Sequence, residues 1–452
     1  IISIDRDNKE ITLQPGLYYR NFEKALKKYD LLLPSYPASK SLCALGGMIA
    51  NNSGGEKSLQ YGKTNRYVKE LKVILADGNE YTFKKLTKSQ LTKKIKQKDF
   101  EGKIYNQIYK LINKNYKKIQ NARPKVSKNS AGYYLWDVYD KKTFDLTQLF
   151  TGSQGTLGII TEAKLSLIKP KKFSRLIVCS IKNVNDLAKF VNITLPFKPE
   201  SLETFDDATL KLALKFMPEI AHKLDKSLIT LALSFWKEAF MSLSSGLPKF
   251  VVLVELTDDN KRELERKIDE LSIVFKNRKV SHVIMGSQKE GEKYWTMRRE
   301  SFNLLRKKIK NKHATAFIDD FCIKPEYFPE FLPKLNKILA EHGVKPTYAG
   351  HAGSGNFHII PLMDLSDPKE RNKIDIVSKK VYDLVIKYKG SITAEHNDGL
   401  IRSPYLKQMF GPEIYSIFEQ TKKIFDPKNI FNPGKKVNSS IKYAMQHLKK
   451  YS

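Results

Sequence analysis

The chain is short of cysteine, of long apolar runs and of acid. Cys43, Cys179 and Cys322 are its only three cysteines in 452 residues. Odd in number and far apart, they argue against a disulfide framework and against a cysteine-ligated iron–sulfur cluster within these residues. A reducing, cytoplasmic setting is the simpler expectation. The longest apolar runs, residues 176–179 and 250–254, are strand-length. A bilayer span needs roughly 20 apolar residues, so none is expected here. No secretory leader is visible, and the first residue is Ile1 rather than Met. The sequence therefore reads as a fragment or a processed product. Asp and Glu number 48 against 80 Lys and Arg, a formal net charge of +32. Such a charge could attract nucleic acid, anionic lipid or acidic metabolites. The lysine runs, such as residues 307–312, lack interleaved aromatics and match no nucleic-acid motif. Solvated lysine faces are the expectation, and no nucleic-acid partner. The non-enzymatic alternative is a basic protein that binds nucleic acid or a membrane surface.

Histidine is scarce too, with eight in all. Two of them bracket the stretch Gly350-His351-Ala352-Gly353-Ser354-Gly355-Asn356-Phe357-His358. A spacing of seven puts His351 and His358 on opposite faces of a straight strand. The glycine-rich middle must then fold back as a tight hairpin loop, so that both rings point to one spot. Further on stands the couple Glu395-His396. Two imidazoles and a carboxylate make a plausible ligand set for a divalent metal, with positions left for water or substrate. Histidines that merely close turns or cap strands would leave the same trace, and composition keeps both readings open.

At this length two to three domains are expected. Residues 2–5 and 10–14 alternate like two strands around Asn8. Asn21 can cap a helix through Phe22, Ala25 and Leu26. Residues 39–55 are rich in glycine and small side chains, which lets backbone N–H groups approach an anion. They match neither a Walker loop nor a Rossmann fingerprint. Residues 68–75 and 80–83 read as strands about the Asp77-Gly78 turn. A basic helical region covers 87–119. A second glycine-rich turn, 151–158, precedes a strand at 159–167. Pro170 marks a domain boundary. Beyond it, strand 174–181, helix 184–194, helix 205–214, strand 250–256, helix 261–275 and strand 280–286 suggest an α+β domain with an antiparallel, ferredoxin-like sheet. A helix from 294 to about 310, strands at 316–323 and 347–361, and helices at 327–341, 369–388 and 412–425 complete the reading.

Four pieces occur together in this order. They are residues 46–55 with Tyr61-Gly62; Gly152-Ser153-Gln154-Gly155-Thr156-Leu157-Gly158; the His351–His358 loop with Glu395-His396; and Asp426-Pro427 with Asn432-Pro433-Gly434-Lys435. Jointly they are specific. The chain resembles the FAD-linked 2-hydroxyacid dehydrogenases of the vanillyl-alcohol oxidase superfamily, over residues 13–435. Its pattern is nearest to D-lactate dehydrogenase, the flavin-binding polypeptide of glycolate oxidase and D-2-hydroxyglutarate dehydrogenase.

The resemblance implies an α+β fold: a PCMH-type FAD-binding domain of two subdomains at 1–170, a cap at 171–410, and a C-terminal segment at 411–452 that returns to the flavin. Pro37, Ser39, Ser41 and Cys43 would run along the FAD pyrophosphate and ribityl chain. Gly46, Gly47, Asn51, Asn52, Ser53, Gly54 and the 152–158 turn would add contacts, and Asn432 would reach the flavin edge. His351, His358 and Glu395 would bind a divalent metal, zinc foremost. His396 would be the base that takes the substrate hydroxyl proton. Arg298, in the Trp295-x-x-Arg298 position, would meet the substrate carboxylate, which suits a guanidinium fork. The implied activity is oxidation of a D-2-hydroxy acid such as D-lactate, glycolate or D-2-hydroxyglutarate. Electrons would pass to a quinone, cytochrome or iron–sulfur partner, with a peripheral membrane contact compatible with the lysine content.

Departures from the family pattern are also visible. The phosphate loop that usually precedes the strand at 11–14 is missing from the sequence. Gln154 stands where an acid is usual, and Ser354 where an aspartate is usual. Ile360 replaces a polar residue, so the substrate is left open.

Overall fold

The computed structural model describes residues 1–215, 217–223, 227, 248–308 and 313–448. The part of the basic run at 309–312, and with it the expected end of the helix near Lys310, lies outside them. The chain forms two compact units. The first comprises residues 1–58, 62–170 and 391–448; the second comprises 59–61 and 171–390. One division between the units falls after Pro170. The chain returns to the first unit at Ser391 rather than at residue 411, because residues 391–402 are hydrogen-bonded to that unit's loops. Among them, Ser130 N donates to Thr393 O at 2.9 Å and Ser391 Oγ donates to Asn129 Oδ1 at 2.6 Å.

The first unit holds a five-stranded antiparallel sheet in the order β1-β2-β7-β3-β4. Its strands are β1 (Ser3–Asp5), β2 (Glu10–Leu13), β3 (Val68–Ile74), β4 (Glu80–Lys84) and β7 (Ile159–Ser166). β5 (Leu86–Thr87) and β6 (Thr143–Phe144) form a small separate pair. Leu71, Val73, Phe83, Ala163 and Leu165 are buried, as period-2 alternation requires of a sheet packed on one face. The basic region resolves into helices Lys88–Ile95, Phe100–Lys114 and Tyr116–Ala122. Thr87 caps the first with a capping box to Gln90. Asn21 is not a cap: the helix already begins at Tyr19, and Asn21 lies inside its first turn. Burial of Tyr19, Phe22 and Leu26 sets that start in place of a side-chain cap.

The second unit is built on an eight-stranded antiparallel sheet. It comprises β8 (Phe173–Ile181), β9 (Ser201–Asp206), β10 (Phe250–Asp258), β11 (Ser281–Ile284), β12 (His313–Ala314), β13 (Phe321–Cys322), β14 (Pro346–His351) and β15 (Asn356–Met363). The order is β11-β8-β10-β9-β14-β15-β12, with β13 also on β15. The block β11-β8-β10-β9, with helices Val184–Thr194 and Lys261–Asn277 as its crossovers, is the ferredoxin-like arrangement expected. The β14–β15 hairpin extends it from β9. Two expectations fail locally. Phe205 belongs to β9, and the helix starts only at Asp207. Residues 316–323 form no continuous strand: Asp320 adopts a left-handed backbone with φ 76°, and only Phe321 and Cys322 pair with β15.

Candidate active site

The residues singled out by sequence fall into the two units. In the first, four loops meet: residues 50–54, 152–158, 394–399 and 432–436. Asn397 is their common node. Its Nδ2 donates to Asn51 O at 3.1 Å and to Gly152 O at 3.0 Å. Its Oδ1 accepts from Lys436 Nζ at 2.6 Å and from Asp398 N at 2.7 Å. Gln154 Oε1 accepts from Gly399 N at 3.0 Å, and Asn432 Nδ2 donates to Gln154 O at 2.7 Å. Asn52, Gln154, Asn397 and Asn432 all have left-handed backbones, with φ of 50°, 56°, 68° and 40°. Such conformations are uncommon outside glycine, and they persist where surrounding bonds over-determine them. The turn that carries Glu395 and His396 is thus held by its neighbours.

Three buried lysines secure that turn. Lys63 Nζ donates to Asn129 O at 2.9 Å, to Ala394 O at 2.7 Å and to Ser130 Oγ. Lys128 Nζ pairs with Glu395 Oε2 at 2.8 Å. Lys436 Nζ pairs with Asp398 Oδ2 at 2.8 Å and also reaches Gly132 O and Ser130 O. Burial pushes the Asp398 carboxyl up and the Lys436 ammonium down, and their mutual pairing opposes both shifts. Glu395 is buried while His396 is exposed. Their donor atoms lie within 4.8 Å of each other. Asn51 Nδ2 donates to Glu395 O at 2.8 Å. A Cβ on Gly54 would lie 2.8 Å from Ser58 Oγ and 3.4 Å from Glu395 Oε2, so the bare backbone there is a steric requirement of the turn.

Of the segments expected to line a dinucleotide, residues 51–54, 152–158 and Asn432 belong to these loops, and residues 37–47 lie outside them. Gly46 and Gly47 lie in the helix Leu45–Asn51, and Gly46 N donates to Pro15 O. The Cys43 carbonyl accepts from Tyr19 N, and Leu42 N and Cys43 N donate to Ser39 O. Arg20 Nη1 donates to Ser41 O at 2.8 Å, and Lys40 N donates to Pro37 O. Ser53 O accepts from Thr64 Oγ1 at 2.9 Å. Thr156 Oγ1 is shared with Tyr133 Oη at 2.7 Å. Leu157 is fully buried, and a Cβ on Gly158 would meet Val73 Cγ1 at 2.6 Å. Two buried atoms, Asn52 Nδ2 and Thr151 Oγ1, have no hydrogen-bond partner among the described residues. Open space adjoins Gly47 and Gly155. Buried polar atoms without partners in these loops fit a polar ligand such as FAD.

In the second unit, β14 and β15 form the expected tight hairpin. His351 opposes Asn356 in the register, and residues 352–354 make one 3-10 turn. The rings of His351 and His358 come to 5.2 Å between centroids. Gly355, at φ 71°, closes the turn, and a Cβ there would lie 1.7 Å from Ile323 O. His351 Nδ1 lies 2.6 Å from Glu203 Oε1. Glu203 Oε2 forms an ion pair with Arg298 Nη2. Arg298 and His351 are buried, and Nη2 lies 3.5 Å from His351 Nδ1. Asp320 is fully buried, and its carboxylate and a His358 ring nitrogen lie within 4.8 Å of each other. Asn356 Nδ2 donates to Asp320 Oδ1 at 3.2 Å. Imidazole and carboxylate donors at this spacing suit a divalent cation.

Sequence reasoning did not reach Glu203, Asp320, Asn397, Lys63, Lys128 or Lys436. The signal for Asp320 was present: Asp319-Asp320 interrupts an apolar stretch between Phe317-Ile318 and Phe321-Cys322.

Residues 170–436 match the family described as FAD linked oxidases, C-terminal domain, and residues 1–84 match the FAD binding domain. The chain belongs to the FAD-linked oxidases. It is 26% identical over 448 residues to D-2-hydroxyglutarate dehydrogenase of Escherichia coli (strain K12), covering 96% of this chain and 42% of that relative. The chain thus spans less than half of that protein's length. Glycolate oxidase subunit GlcD of Bacillus subtilis (strain 168) is 27% identical, with 96% of this chain and 77% of the relative covered. Among solved structures, 4-ethylphenol oxidase from Gulosibacter chungangensis shares the fold at a TM-score of 0.64 and 13% identity, covering 98% of this chain and 79% of that one.

Proposed function

We propose that this chain carries out FAD-dependent oxidation of a D-2-hydroxy acid to the 2-oxo acid. D-2-Hydroxyglutarate, glycolate and D-lactate are the candidate substrates, and a quinone, cytochrome or iron–sulfur protein is the candidate acceptor. The observation that carries the reading is the 394–398 turn. In a chain of the FAD-linked oxidase family, it presents an exposed imidazole beside a buried carboxylate and is locked by three lysines and Asn397.

FAD, when bound, supplies the two-electron acceptor. Asn52, Thr151 and the backbone of the 152–158 turn would hold it. A divalent ion, zinc foremost, would lower the cost of the developing alkoxide. His351, His358 and Glu395 are its proposed ligands, with Asp320 a further candidate. Lys128 already engages Glu395 Oε2, which keeps that carboxylate oriented. His396 takes the hydroxyl proton at a ring nitrogen, a task that suits imidazole because its ordinary titration lies near neutrality. Arg298 contributes positive charge toward the substrate carboxylate, tempered by its pairing with Glu203. Among the described residues, no helix is long and apolar enough to cross a membrane.

The test is dye reduction by FAD-loaded protein across paired D and L 2-hydroxy acids and the achiral glycolate, with and without a chelator. Turnover confined to the D series or glycolate and lost with the chelator supports the reading. Equal rates for both series, or none with any acid, would defeat it.

A further inference from the structure

We infer that Glu203 is a positioning residue, which fixes the tautomer of His351 and at the same time anchors Arg298. The inference rests on the proposed role of His351 as a metal ligand. Glu203 sits in β9, a strand whose six residues are all buried. It comes from a point 148 positions away in the chain to lie 2.6 Å from His351 Nδ1. Its second oxygen pairs with Arg298. A carboxylate can only accept, so Nδ1 of His351 carries the hydrogen. Nε2 then keeps its lone pair, the form in which an imidazole binds a cation.

The two oxygens of Glu203 therefore have different tasks. Oε1 selects which nitrogen of the His351 ring is basic. Oε2 holds the Arg298 guanidinium and cancels part of its charge. Arg298 and His351 are linked through this side chain as well as by the direct 3.5 Å approach of Nη2 to Nδ1, and the network is almost fully removed from solvent: Glu203 is 1% exposed, His351 4% and Arg298 8%. In a metal site, such an outer partner typically accounts for on the order of 10–100-fold in ion affinity. Removing the carboxylate also leaves the Arg298 charge uncancelled, so the substrate carboxylate should be held more tightly, while His351 becomes a poorer ligand for the ion that would lower the cost of the alkoxide. The expected signature is a split: a lower KM together with a lower kcat.

The direct test needs neither metal nor turnover. Full-length protein labelled with nitrogen-15 in histidine is studied by long-range proton–nitrogen NMR, with the His351 signals assigned by their loss in His351→Asn. Nδ1–H in the parent protein, shifting toward Nε2–H in Glu203→Ala and retained in Glu203→Gln, is the expected result. The glutamine variant keeps an acceptor and guards against a folding defect in the alanine one. An Nε2–H tautomer or a doubly protonated ring in the parent protein would overturn the inference, as would an unchanged tautomer in Glu203→Ala. Zinc affinity by chelator competition is measured alongside. A changed tautomer with no zinc binding in any variant would leave the positioning role standing and count against the proposed metal chemistry instead.

Discussion

Lys436 and Asp398 form an ion pair at 2.8 Å in which both side chains are fully removed from solvent. The pair joins the C-terminal tail to the turn that bears His396. Two charges out of water are tolerated only because each has further partners. Gly132 N donates to Asp398 Oδ2, and three more oxygens accept from Lys436 Nζ. Removing one charge strands the other, at a cost of about 3–5 kcal/mol. Lys436→Met and Asp398→Asn are each expected to lower stability by that amount in urea unfolding. The double substitution should cost clearly less than the sum; full additivity would mean that the pair does not interact as described.

The hairpin rests on a glycine. At Gly355 the left-handed backbone alone would cost another residue about 1–3 kcal/mol. A methyl group there would also collide with Ile323 O at 1.7 Å. Gly355→Ala is expected to lower the melting temperature and to separate the two imidazoles. Gly78→Ala also has φ above zero, at 84°, but with nothing within 4 Å, so it should show the strain and little more. Equal losses for the two would count against the packing argument.

His396→Asn should bind FAD as the parent does while reducing it far more slowly. Removal of a general base typically costs on the order of 10²–10⁴-fold. Stopped-flow reduction of the flavin measures this, and a rate within a few-fold of the parent would remove His396 from the chemistry.

One pH response is independent of the site. Asp258 is held down at about 2 by the hydrogen bond from Lys267 Nζ, at 2.6 Å, and by Asn260 N. Its folded value lies below the ordinary 3.8. Its contribution to stability is therefore present above that value and fades as pH falls toward 2. Carbon-detected NMR titration should place the midpoint near 2, and Lys267→Met should return it toward 3.8.

Strands whose apolar residues alternate or run together, such as β3, β7, β8 and β10, were legible because their pattern matches their burial. β9 was not. Its residues Ser201, Glu203, Thr204 and Asp206 are polar yet buried, and only tertiary partners make that tolerable. Asp206, for example, accepts from Tyr348 N and Thr209 N. Scarcity made the histidines visible. Abundance hid the lysines: nothing local separates Lys63, Lys128 and Lys436 from the rest of 80 basic residues. Asn397 was invisible for another reason, since its role depends on four loops arriving from distant parts of the chain.

The most direct measurement is anaerobic mixing of FAD-loaded protein with D-2-hydroxyglutarate, glycolate and D-lactate in turn, followed by flavin absorbance and by assay of the 2-oxo acid. Bleaching by at least one of them, with one 2-oxo acid formed per flavin reduced, is the expected result. Protein that stays colourless after incubation with FAD, or a bound flavin that none of the three acids bleaches, would contradict it.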